Sequence, residues 1–164
     1  MVAVLWWQTQ GLRLRHVAWM LALLAVGNAA TVKLLTNLLW FTHAAVIGEA
    51  LMLGAKAGVP LDVVREALMH SAGNSWVVEH DIPSIFDGHY DPSFSLALCC
   101  KDLTLVNQIA EQQGYSLTMG QFALAQFEKA KEIYGPDAAE LHVVKMLEDK
   151  VGLLLRPPHG QATT

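Results

Sequence analysis

Two short stretches hold the residue types able to do chemistry. In the first, Gly27-Asn28-Ala29-Ala30-Thr31-Val32-Lys33-Leu34-Leu35-Thr36-Asn37, a lone lysine stands in apolar sequence. Lys33 and Asn37 are four residues apart, so a helix projects both from one face, about one turn apart. Leu34, Leu35, Leu38, Leu39 and Trp40 surround the lysine with hydrocarbon. Partial desolvation disfavours an ammonium and moves a lysine towards acid/base use. Asn37 adds a directed hydrogen bond, so the pair can hold a hydroxyl or carbonyl oxygen and exchange a proton with it. On spacing alone, an amphipathic helix with Lys and Asn on its polar stripe is the plainer reading. In the second stretch, Asp91 to Leu103, Lys101 and Asp102 are the charges of an otherwise apolar helix start. Lys101 can reach an anionic cofactor group or substrate, and Asp102 can fix a neighbouring cation. The plainer reading is a surface ion pair, which stabilises little.

The elements that must position these residues are helical. From His16 to Lys56 the chain is rich in Ala and Leu and contains no proline. Gly27-Asn28 is its weak point, so the long helix is expected to start there with Asn28 as N-cap. Ala44, Gly48, Ala50 and Gly54 would let another backbone approach, and Gly58 and Pro60 end the helix. A short helix follows to about His70, then a turn over 71–74, a short segment at 76–79 and a looser stretch over 80–93 marked by Pro83, Gly88 and Pro92. Further helices are expected over 95–113, 118–134 and 137–150, the last capped by Asp137. No alternating strand pattern, hairpin signal or repeat appears. The fold class is all-α: residues 1–26 form an unassigned leader or degenerate interdomain segment, 27–150 the helical domain, and 151–164 a flexible tail.

Composition narrows the function. The 164 residues are 53% hydrophobic and only 16% charged, an apolar excess that calls for a face packed on another copy, another domain or lipid. A net charge of −4 excludes an electrostatic case for nucleic acid. The uncharged run 17–32 follows Arg13, Arg15 and His16, but it is short of the ~20 residues that span a bilayer and contains Gly27, Asn28 and Thr31. No membrane partner is therefore expected, although a helix anchored by that run stands as a third reading. Cys99 and Cys100 are the only cysteines. Being adjacent, they offer no disulfide framework or zinc site and read as buried core residues in a reducing compartment. The seven histidines are scattered without metal-ligand spacing. His80-Asp81 with His89-Tyr90-Asp91 can be drawn as a metal site, but loop His and Asp are usually solvated turn residues, and no metal is expected.

Several motifs in order resemble the C-terminal domain of the β-hydroxyacid dehydrogenase family, the 3-hydroxyisobutyrate dehydrogenase type with its 6-phosphogluconate dehydrogenase-like relatives. The family's G-x-G-x-x-x-K-x-x-N-N is met by Gly27, Lys33 and Asn37, with Ala29 and Thr36 as departures. Its F-x-L-x-L-x-x-K-D-L is met by Phe94, Leu96, Leu98, Lys101, Asp102 and Leu103. Gly48-Glu49-Ala50, Gly58-Val59 and Ser75-Trp76 fit between, so the resemblance covers 27–150. It implies that Lys33 is the catalytic acid or base, that Asn37 and Thr36 bind substrate, and that Phe94, Lys101 and Asp102 line the cofactor end. It also implies NAD or NADP as cofactor, a small 3-hydroxy acid or its semialdehyde as substrate, a homodimer or larger assembly, and a cytoplasmic enzyme. No G-x-G-x-x-G follows a strand, so the Rossmann domain is absent from the sequence and the chain reads as a truncated, helical half. A non-catalytic all-α dimerisation module is the alternative.

Overall fold

The computed structural model describes residues 2–157, with side chains from residue 27 onward. Helix α1 spans Val2–Lys56, α2 Leu61–Met69, α3 Ile82–Asp87, α4 Leu96–Gln112, α5 Thr118–Tyr134 and α6 His142–Val151. A π-helical turn, Val77–Asp81, runs directly into α3. Among the described residues there is no strand, only an isolated bridge between Ser95 and Ala139. The all-α class holds.

Helix α1 is the axis on which the rest assembles. Leu34, Phe41, Ala44, Ile47, Leu51 and Met52 are buried along one side, at the three- and four-residue steps that keep a helical face. α4, α5 and α6 pack on that side, and α2 and the π-turn lie against its later part. A Cβ at Gly48 would lie 3.1 Å from both γ-carbons of Val144. Small residues therefore do admit another backbone, that of α6 in the same domain. Phe41 lies at the centre of an aromatic group, with ring centroids 5.7 Å from Phe94 and 5.5 Å from Phe127. Cys99 and Cys100 are free and buried in the core, and burial pushes both thiols up.

Four boundaries differ from expectation. α1 runs straight through Gly27-Asn28, so Asn28 is no N-cap. One interior glycine costs only ~1 kcal/mol relative to alanine, and Thr31 Oγ1 donates back to the Gly27 carbonyl across this turn. The loose stretch at 80–93 contains α3, because Pro83 falls in its first turn, where a missing N–H is harmless. α6 starts at His142, not Asp137. Residues 136–140 serve α4 instead: Leu96 N donates to the Ala138 carbonyl, Ala97 N to the Pro136 carbonyl, and Glu140 N to the Phe94 carbonyl. The Ala138 and Pro136 carbonyls satisfy N–H groups at the start of α4 that have no partner inside the helix. Finally, part of the stretch assigned to the tail is tied down. Leu155 is fully buried, and Arg156 donates to the Ile85 carbonyl, to Glu148 and to Tyr90. Residues 158–164, the rest of that tail, lie outside the described residues.

Candidate active site

Lys33 and Asn37 do project together from α1, and α4 meets them. Lys33 Nζ donates to Asp102 Oδ2 at 2.6 Å, and Asn37 Nδ2 donates to the same oxygen at 2.7 Å. Asp102 and Asn37 are buried, whereas the Lys33 side chain is 57% exposed. The desolvation expected from neighbouring leucines is therefore not what distinguishes this lysine. Leu35 and Leu39 are themselves exposed, whereas Leu34 is buried and Leu38 and Trp40 pack against the core. The lysine is distinguished by its anchor: a buried carboxylate, steadied by the asparagine, holds the ammonium at the domain surface. Such charge-assisted bonds are short and directional.

The other predicted residues are placed differently. Thr36 is one residue from Asn37, but its hydroxyl donates to the Lys33 carbonyl at 2.7 Å, leaving only acceptor capacity for a ligand. Phe94 sits further along α1, its ring 5.6 Å from that of Trp40, and is half-buried. Lys101 is exposed, with no ion pair among the described residues. Asp102, which the sequence places as a support for a neighbouring cation, finds that cation in Lys33. The residue the sequence undervalues is Trp40. Counted only as hydrocarbon, it instead donates its indole N–H to buried Asp81 at 2.8 Å. An indole beside an acid far along the chain leaves no local pattern that would reveal this.

A groove lies away from Lys33, between α1, α5 and α6, where Thr42, Val46, Phe122 and Val144 contribute to its walls. It contains no part of the Lys33 constellation. The lysine thus stands on an open surface bordered by exposed Val32, Leu35 and Leu39.

Residues 27–147 match the model of a family described as NAD-binding of NADP-dependent 3-hydroxyisobutyrate dehydrogenase. The chain belongs to that family. Lys33, Asn37 and Asp102 all fall inside the matched region, and the likeness read from the two motifs is borne out. The L-threonate dehydrogenase of Haemophilus influenzae is 36% identical over 113 residues, 68% of this chain and 38% of the relative. That of Escherichia coli K12 is 37% identical over 112 residues, 68% of this chain and 37% of the relative. Among solved structures, a 3-hydroxyisobutyrate dehydrogenase from Salmonella typhimurium superposes with a TM-score of 0.65 at 35% identity, covering 71% of this chain and 41% of that one. The chain thus spans about two-fifths of the length of these relatives.

Proposed function

We propose that this chain is the substrate-binding, acid/base half of a cytoplasmic NAD(P)-dependent oxidoreductase acting on a small 3-hydroxy acid or its semialdehyde. The observation that carries the reading is the junction of Lys33, Asn37 and Asp102. It presents a fixed ammonium on the open surface of a family domain whose matched description is NAD-binding.

Among the described residues there is no strand and no glycine-rich phosphate cradle, so the helical surface around Lys33 would engage only the nicotinamide end of the dinucleotide, and a nucleotide-binding unit would close over it. A nicotinamide, when bound, would supply or accept the hydride at the substrate carbon. The residues of this chain handle the oxygen. In the reducing direction Lys33 Nζ donates a proton to the carbonyl oxygen as it becomes a hydroxyl; in the oxidising direction the neutral amine takes that proton back. Asp102 sets the direction of Nζ, and Asn37 fixes Asp102. Thr36 offers an acceptor to a substrate hydroxyl. Phe94 and Lys101 border the cofactor end, Lys101 as an exposed cation for an anionic group.

We also infer a homodimer or larger homo-oligomer. Exposed Val32, Leu39, Val46 and Leu53 recur every seven residues along α1, an apolar stripe suited to a second body. Gly27–Lys56 is long and apolar enough to cross a membrane by length and composition. Its buried face, however, packs on four other helices of this domain, which supports a soluble protein. The same stripe favours a second reading, a dimerisation module that has kept the fold without the chemistry.

Fluorescence titration of the full chain with NADH and NADPH, with and without a small semialdehyde, separates the two. Saturable, semialdehyde-dependent binding that is lost in Lys33→Ala is the expected result. Binding that ignores the substitution would leave only the dimerisation module.

A further inference from the structure

Away from Lys33, three acids converge from distant parts of the chain. Asp81 ends the π-turn, Asp91 lies in the connection between α3 and α4, and Glu140 precedes α6. One carboxylate oxygen of each lies within 4.8 Å of the others. Asp81 is almost fully buried and Glu140 completely so. Both Glu140 oxygens are shut off from solvent and have no hydrogen-bond partner. A buried, unpartnered carboxylate facing two more is a rare arrangement, because nearly all buried polar atoms find a partner, and unpaired buried charge is strongly destabilising. Burial, reinforced by the charges of Asp81 and Asp91, pushes Glu140 up to about 9. The cluster is short of positive charge.

The surroundings hold these acids in place without neutralising them. Trp40 donates to Asp81 Oδ2, the Ser93 amide to Asp91 Oδ1, and the Glu140 amide to the Phe94 carbonyl. Three separate segments are thereby aimed at one point beside α1.

We propose that Asp81, Asp91 and Glu140 form a binding site for one hard divalent cation of calcium size. It would pin the α3–α4 connection and the segment before α6 to the Trp40 turn of α1. Three carboxylates are the ligands that hard cations prefer, and they do not suit copper or a structural zinc. Calcium–oxygen distances of ~2.3–2.6 Å let two ligand oxygens stand roughly 5 Å apart across the ion, whereas magnesium at ~2.1 Å demands a tighter set. His80 and His89, neighbours in sequence, are not part of the ligand set. The inference departs from the sequence-based expectation of no metal because Glu140, the acid that completes the triangle, lies far from the other two in the chain.

Trp40 makes the test specific, since its indole is bonded to one of the ligands and can sensitise a bound lanthanide. The full chain, stripped with EDTA and exchanged into buffer, is titrated with Tb³⁺ and then with Ca²⁺ or Mg²⁺. The expected result is one equivalent of saturable, tryptophan-sensitised Tb³⁺ emission, displaced by Ca²⁺ at lower concentration than by Mg²⁺. Ca²⁺ should also raise the Tm. Glu140→Gln and Asp91→Asn should each weaken binding at least tenfold and abolish the Ca²⁺-dependent rise, with far-UV circular dichroism confirming that they fold. Absence of saturable binding, or equal binding in the folded variants, overturns the site. So does a Glu140→Gln protein whose Tm exceeds the parent's while the parent ignores Ca²⁺; in that case Glu140 carries a proton and needs no cation.

Discussion

A single carboxylate oxygen, Asp102 Oδ2, receives both Lys33 and Asn37, and the residue-scale predictions turn on it. Positioned proton transfer contributes roughly 10²–10⁴-fold in rate, so Lys33→Ala should lose about that much kcat in an assembled enzyme. Lys33→Arg should not rescue it, because a guanidinium stays charged and its planar fork does not replace a compact ammonium. Asp102→Asn keeps the shape but removes the charge that anchors Nζ. It should lower kcat by less than Lys33→Ala while far-UV circular dichroism stays unchanged; an Asp102→Asn enzyme with full kcat would remove Asp102 from the account. The pairing of Lys33 with Asn37 was legible in the sequence because a helix fixes which residues four apart share a face. The closure by Asp102 was not, since it joins positions 69 residues apart and depends on how α1 and α4 cross. A separation of 41 residues likewise hid the bond between Trp40 and Asp81.

The helices themselves were largely legible in composition and period, and two of the four boundary differences share an origin. Asp137 looks like an N-cap, but its segment is drawn instead to the unpaired amides at the start of α4. Arg156 looks like the start of a tail, but buried Glu148 needs a cation: its Oε1 accepts from the Leu155 amide at 2.7 Å and from Arg156 Nη1 at 2.9 Å. In both cases a tertiary hydrogen-bond demand overrides local propensity. Arg156→Met should therefore strand a buried charge, at a cost of about 3–5 kcal/mol. Urea unfolding should read this as a lower midpoint, and an unchanged midpoint would mean that the last described residues contribute little. At the crossing of α1 and α6 there is no room beside Gly48. Gly48→Leu should cost about 1–3 kcal/mol through overpacking, lowering the Tm by several degrees.

At the scale of the whole molecule, the apolar excess of the composition is accounted for in two ways. Part forms the core around Phe41; part stays exposed along α1 and on α5, where Met119 and Phe122 are uncovered. The exposed part needs a partner. The purified chain should scatter light as a dimer or larger species, and Leu39→Glu with Val46→Glu should reduce it to a monomer with unchanged helix content. A parent chain that is already monomeric at micromolar concentration would contradict the stripe as an interface. Extraction into buffer without detergent is expected, since a helix that packs on four others leaves no complete apolar surface for lipid.

The central claim is that these helices carry a working acid/base group for hydroxy-acid oxidation. It is tested most directly by fusing residues 27–157 to the part of the Haemophilus influenzae L-threonate dehydrogenase that this chain does not match. NAD(P)-dependent oxidation of L-threonate and 3-hydroxyisobutyrate is then followed for the fusion and for its Lys33→Ala form. Turnover of one of these substrates that falls at least a hundredfold on losing Lys33 is the predicted result. A folded fusion that turns over neither, or equal turnover with and without Lys33, would contradict it.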